Sequence, residues 1–242
     1  MLNKFFLNFL SIVISLIDYS NKKKIIHFFK KKFKNQYLNI IDVGSHKGET
    51  IDLFLKNFNV HKIFAFEPNT ELFDRLIKKR HDEEKIKLFN CGVGINDGNL
   101  DLNIMIDSAS STFNSINLDS DYYKKKNKII TFFSNKKNLL KNVQSISIVS
   151  LSKIIQENKI NKIDILKIDT EGFEFNVLKG VNKTDYEKIN YIYLEHHYDL
   201  MINKGYTFSE INNFLVKNNF KKIFKVKMKF RKSFEYIYEK KI

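Results

Sequence analysis

Apolar and polar positions along this chain switch repeatedly between a period of two and a period of about 3.6, the signature of strands alternating with amphipathic helices. A β-favouring run stops at Asp42, and Ile51, Phe54, Leu55 and Phe58 then recur at helical spacing. Lys62 to Glu67 reads as a second strand. Asn69 caps a helix in which Leu72 pairs with Leu76 and Phe73 with Ile77. Ile86 to Cys91 is a third strand, and the turn at Asn96, Asp97 and Gly98 leads into a hairpin or extension from Leu100 to Met105. Ile146 to Val149 precedes a helix capped by Ser150 with Leu151, Ile154 and Ile155 on one face. Ile163 to Ile168 is a strongly hydrophobic strand, followed by a helix from Phe173 to Lys179 that stops at Gly180. Tyr191 to Leu194 is a strand running into Glu195, His196 and His197. Thr207 and Glu210 make a capping box for a helix carrying Ile211, Phe214 and Leu215. Ile223 to Phe230 and Phe234 to Tyr238 form an antiparallel hairpin at a sheet edge. The pattern predicts an α/β domain over 37–242: a doubly wound, mostly parallel sheet with helices on both faces.

Two stretches break the rhythm. Residues 107–142 carry Ser108, Ser110, Ser111 and Thr112 and then a Lys-, Asn- and Tyr-rich passage, which reads as a long excursion above the sheet and a substrate lid. Residues 1–36 form a separate helical, basic arm: Phe5, Phe6, Phe9, Leu10, Val13, Ile14 and Ile17 recur at helical spacing before lysine clusters at 22–24 and 30–32. The arm is too short to span a bilayer and lacks a signal-peptide cleavage site. It reads first as a helix packed on the domain or on a second subunit, and second as a helix lying in a membrane interface with its lysines on lipid phosphates.

Among 242 residues, 43% are hydrophobic and 14% aromatic, enough for one substantial core. The net charge of +15 comes mostly from lysines scattered among Ile, Asn and Phe, so it attracts anionic surfaces without specifying nucleic acid. Cys91 is the only cysteine, which excludes an intrachain disulfide and reads as an inert buried thiol. That usage fits a cytoplasmic setting, at the inner face of the membrane if the arm binds lipid.

Functional residues of an open α/β sheet gather beyond the carboxyl ends of its strands. Here those ends are Asp42 with Gly44, Glu67, Asn90 with Cys91 and Gly92, Asp169 with Glu171, and Glu195 with His196. The loop Gly44-Ser-His-Lys-Gly48 matches neither a phosphate-binding P-loop nor a dinucleotide fingerprint. An acidic residue before its first glycine suits an amine better than a phosphate. Glu67 stands where a nucleoside's ribose hydroxyls would lie. The ligand this suggests is a nucleoside carrying an amino acid, and S-adenosylmethionine fits. Its methionine end would follow the glycine loop, with Asp42 organising the turn or the ammonium.

DVGSHKGET, then FEP, then NCGVG, then IDILKIDTEGFEFNVLKG resemble the successive motifs of the FkbM-type S-adenosylmethionine-dependent methyltransferases, in the expected order from Ile40 to His197. The string from Lys167 to Glu174 is the most distinctive. The resemblance implies a class I methyltransferase (Rossmann-like) seven-stranded sheet and methyl transfer to oxygen, commonly on a sugar or a polyketide hydroxyl; the expectation for this chain is a sugar hydroxyl of a surface polysaccharide, glycolipid or related metabolite. The family's loop usually carries Asn where this chain has His46. The cofactor-binding set so implied is Asp42, Gly44, Ser45, His46, Gly48, Thr50, Glu67, Asn69, Asn90, Cys91, Gly92 and Asp169. Asp169, Glu195 and His196 are candidate bases for the acceptor proton, with Asp169 alternatively holding the methionine end and Glu171 bracing the loop. Asp169, Glu171 and Glu195 also suit a divalent metal, although their spacing is no metal signature. His197 points away from His196 and reads as structural. An RNA methyltransferase of the same fold is the alternative the basic balance raises, but no aromatic-basic RNA motif accompanies it. A non-catalytic membrane-associated partner protein is a third reading, carried by the arm alone.

Overall fold

The computed structural model describes residues 21–134, 138–229 and 231–241. Seven strands form the main sheet: β1 (Tyr37–Val43), β2 (Asn59–Phe66), β3 (Ile86–Phe89), β7 (Ile163–Ile168), β8 (Ile189–His197), β9 (Phe220–Lys227) and β10 (Ser233–Lys240). Their order is β3-β2-β1-β7-β8-β10-β9. The pairs from β3 to β8 are parallel, and β10 runs antiparallel to both neighbours, which puts the expected hairpin at the sheet edge. A second sheet of three strands, β4 (Gly92–Gly94), β5 (Gly98–Met105) and β6 (Leu140–Ser150), takes the order β4-β6-β5.

The helices are α1 (21–33), α2 (Glu49–Asn57), α3 (Thr70–Arg80), α4 (Asp121–Ser134), α5 (Leu151–Glu157), α6 (Glu174–Lys179), α7 (Lys183–Tyr186) and α8 (Phe208–Lys217). Their caps are those the sequence announces: Asn69 Oδ1 accepts from Leu72 N, Ser150 Oγ from Lys153 N, and Thr207 with Glu210 closes a capping box. Gly180 departs from expectation. It ends α6 at φ −77°, outside the left-handed region, and a Cβ there would lie 2.0 Å from Gly94 O. Close passage of β4, not turn geometry, demands the glycine.

One sheet face buries Ile41, Val43, Leu166, Ile168, Ile192 and Leu194 beneath α5, α6 and α8. The other buries Leu38, Ile40, Ile165, Tyr191, Tyr193 and Ile237 beneath α1 and α2. Ile25, Phe29 and Phe33 of α1 belong to this second core, with Phe29 edge-on to both Tyr191 and Tyr193. The described part of the basic arm is therefore an integral helix of the domain, and its lysines 23, 24, 30, 31 and 32 face solvent. The apolar positions from Phe5 to Ile17 lie outside the described residues. Among the described residues no helix is long and apolar enough to cross a membrane.

Three expectations are corrected. The third strand stops at Phe89, and the chain then bends to start the second sheet. The strand at Ile146 to Val149 is the end of β6 and pairs with β4 and β5, away from the main sheet. The excursion from 107 to 142 is largely ordered into a 3-10 turn at Ser108–Ser110, the 14-residue helix α4 and the start of β6. Lysines dilute the apolar stripe of α4, which is why the sequence concealed it.

Candidate functional site

Period-two alternation explains where the polar groups collect. On the face covered by α1 and α2, the apolar positions Ile40, Ile165, Tyr193 and Ile237 are each followed, one same-face step toward the carboxyl end of the parallel strands, by Asp42, Lys167, Glu195 and Glu235. Asp169 and His197 continue that line on β7 and β8. The register sets Asp42 opposite Lys167 and Glu195 opposite Glu235. A polar layer thus replaces the hydrophobic core at one end of the sheet.

Lys167 anchors it. Its Nζ lies 3.1 Å from Asp42 Oδ1 and 3.5 Å from Asp169 Oδ2, and donates to Gly44 O at 3.1 Å. Burial works against its charge, but these oxygens outweigh that and push its pKa above the usual range. Asp42 is wholly buried beneath the loop, where it organises the turn through Lys167. Gly44 has φ +82°, and a Cβ there would lie 1.9 Å from Asp169 O, so the ends of β1 and β7 pack as closely as only glycine permits. Asp169 N donates to Val43 O at 3.0 Å across the same seam.

Glu67 closes β2 against this loop. His46 N donates to Glu67 Oε2 at 2.7 Å and Asn69 N to Oε1 at 2.9 Å. Burial nevertheless pushes the carboxyl up to about 7. Asn90 braces the turn by donating to Glu67 O at 2.9 Å and Pro68 O at 3.2 Å. Cys91 is buried and its thiol is pushed up to about 11, so it is the inert thiol expected. Ser45 Oγ donates to Asp42 O at 3.0 Å, and Gly48 and Thr50 open α2. His46 adds a contact toward the excursion: its Nε2 is 2.8 Å from Ser108 Oγ, and its Nδ1 is 3.3 Å from Glu49 Oε1.

The far side of the site is a carboxylate cluster around one imidazole. His197 Nε2 lies 3.4 Å from Glu195 Oε1 and 3.5 Å from Glu171 Oε2, and its Nδ1 lies 3.6 Å from Asp199 Oδ2. Burial opposes its protonation, but those carboxylates raise it to about 10. His196 sits on the opposite face, ringed by Tyr198, Tyr206 and Phe208, and burial holds it down near 4. The expected roles of the two histidines are therefore exchanged in space. Of the two candidate bases expected on this strand, Glu195 lies on the polar face and His196 on the other; the alternation carries that signal, because Glu195 and His197 are two apart. Sequence reasoning also missed Lys167, Asp199 and Glu235.

The bracing carboxylate is Glu174, where Glu171 was expected. Its Oε1 accepts from Gly172 N at 2.8 Å and from Thr170 Oγ1 at 3.3 Å, and its Oε2 accepts from Tyr206 OH. The excursion clamps the same turn: Thr112 Oγ1 donates to Glu171 O at 2.8 Å and Asn114 Nδ2 to Gly172 O at 2.5 Å. The residues from 108 to 114 are thereby bound to both the glycine loop and the turn after β7.

Known proteins resemble this chain in sequence and in fold. The profile of the Methyltransferase FkbM domain matches residues 42–222. A hexuronic acid methyltransferase, AglP of Haloferax volcanii, is 27% identical over 158 residues, covering 64% of this chain and 54% of that protein. The crystal structure of a methyltransferase FkbM from Methylobacillus flagellatus superimposes with a TM-score of 0.51 at 15% identity, over 84% of this chain and 43% of that one. The chain thus spans about half the length of the relatives it matches, and the structural likeness bears on the fold alone.

Proposed function

We propose, from the premise that this chain belongs to the FkbM methyltransferase family, that it carries the methyl group of S-adenosylmethionine to a hydroxyl of a sugar acceptor in a polysaccharide, glycolipid or related glycan. The observation carrying this reading is the 2.7 Å bond between the glycine loop and Glu67, which sets a carboxylate for a ribose diol beside a turn for an amino-acid tail. The name of the Haloferax relative supports a sugar as acceptor. Bound there, S-adenosylmethionine supplies an electrophilic methyl.

The residues of the chain position and deprotonate. Transfer of that methyl to a hydroxyl would return the sulfur–methyl bonding pair to sulfur and release the hydroxyl proton, so what falls to this chain is to align the acceptor oxygen and take up that proton. That proton passes to Asp169, the most open carboxylate of the cluster, whose side chain is 34% exposed. Burial would raise its pKa, but Lys167 and His197 prevail and hold it ionised. Gly44, Ser45 and His46 shape the cofactor's seat, and the excursion walls the acceptor side.

Calorimetry with S-adenosylmethionine, followed by mass analysis of products from uronic-acid and neutral nucleotide sugars and lipid-linked glycans, tests the reading. Saturable binding and a sugar product one methyl heavier are expected. No binding, or methyl transfer to RNA alone, would sink it. A paired substitution checks the face assignment. His196→Phe keeps single-turnover rates within roughly threefold, less than 1 kcal/mol on the barrier, whereas His197→Phe lowers them about a hundredfold, the scale of a misplaced catalytic group, because the imidazole that holds Asp169 ionised and in place is lost. Equal losses would return His196 to the site.

A further inference from the structure

We propose that Asp169, Glu195 and His197 form a binding site for a divalent cation of the Mn²⁺ type, placed beside the acceptor pocket. One ligand atom from each of the three side chains falls within 4.8 Å of the others. Donors bound at about 2.0 to 2.4 Å around a common ion stand roughly 3 to 4.5 Å apart, so small side-chain movements close the shell. The three sit on β8 and on the turn after its parallel neighbour β7, a rigid frame in which Glu195 and His197 share a face.

A second observation points to the same centre. Glu195 Oε1 and His197 Nε2 are buried and make no hydrogen bond, although they face each other at 3.4 Å. Glu195 is 6% exposed and His197 9%. Buried polar atoms of native proteins almost always have a hydrogen-bond partner; these two have only their ion-pair contact with each other and that of His197 Nε2 with Glu171 Oε2 at 3.5 Å, and a cation between them would satisfy both. Glu235 Oε2 and Ser233 Oγ, on the antiparallel strand alongside, are buried without a hydrogen bond as well.

The local charge agrees. Asp169, Glu171, Glu195 and Asp199 gather around His197, with Glu235 beside Glu195, and Lys167, Lys126, Arg231 and Lys22 are the positive groups that act on these carboxylates. Two carboxylates with one imidazole suit Mn²⁺, which accepts oxygen and nitrogen donors and retains open positions for hydroxyls. Asp169 can offer one oxygen to the ion and keep the other for a proton. That use, holding and acidifying the acceptor hydroxyl, rests on the reading under Proposed function; the site itself does not.

Titration of the full chain with Mn²⁺ alone, followed by electron paramagnetic resonance and with no methyl donor or acceptor, tests the site and leaves the enzymatic reading untouched if it fails. One saturable Mn²⁺ per chain is expected, and Glu195→Gln should weaken it roughly a hundredfold, the upper range for lost support around a metal. Because that variant can misfold, the unaltered protein with labelled histidines provides a second readout, in which Mn²⁺ broadens the His197 ring signals and spares His61 and His81. Absence of saturation by about 1 mM Mn²⁺, weaker than the loosest dedicated sites, or broadening confined to surface histidines, would overturn the proposal and leave His197 as a plain buried counter-ion.

Discussion

Lys167→Met is expected to lower the unfolding free energy by about 3 to 5 kcal/mol, the cost of leaving one half of a buried ion pair uncompensated. Lys167 is 4% exposed and Asp42 fully buried. Neither Asp42 side-chain oxygen has a hydrogen-bond partner, so the ammonium 3.1 Å away is what balances its charge. The same ammonium binds Gly44 O, so the loop loses its tether together with the charge balance. Adding Asp42→Leu removes the stranded carboxylate, and the double variant should recover most of the loss, because apolar replacements of buried pairs are often neutral. Urea denaturation of both variants measures this. A loss under about 1 kcal/mol for the single variant would mean that water or rearrangement relieves Asp42, contrary to the geometry described.

Glu67→Ala is expected to weaken S-adenosylmethionine binding a hundredfold or more, since two hydrogen bonds to a charged acceptor are worth about 1.5 to 3 kcal/mol each. The dependence on pH is more diagnostic. The carboxyl is raised by burial from 4.5 to about 7. Ribose hydroxyls donate to the ionised form, so affinity is full above pH 7 and falls about tenfold per unit below it. Stability runs the other way. A raised carboxyl favours the folded state while protonated, so its contribution is complete below the unfolded value and is lost as pH rises through 7, by about 3 kcal/mol. Calorimetry between pH 5.5 and pH 8.5, with Glu67→Gln as comparison, reads the first effect, and thermal melts read the second. Affinity that is flat across this range would remove Glu67 from the cofactor's seat.

The main sheet was legible because its strands carry nearly unbroken apolar runs and its helices carry cap residues whose chemistry is local: Asn69, Ser150 and Thr207 need only their own next turn. The meeting of the glycine loop with Glu67 was legible for a topological reason, since adjacent parallel strands bring their carboxyl ends together. What escaped depends on contacts distant in sequence. Lys167 in a hydrophobic strand looks like an interruption until the register sets it against Asp42, 125 positions earlier by subtraction of the two residue numbers. The choice between His196 and His197 turns on which sheet face carries the polar layer, and only packing by α1, α2 and α8 decides that. Helix α4 escaped because lysine heads mask the periodicity of its apolar stems.

The seating of α1 bears on how lipid attachment should be probed. Cutting the chain at residue 36 would strip Ile25, Phe29 and Phe33 from Tyr191 and Val226 and leave a bare aromatic surface. A shortened protein of that kind would cling to vesicles, or to itself, for reasons unrelated to any anchor. Removing only residues 1–20 keeps that surface covered, and is the truncation on which a flotation experiment can be interpreted.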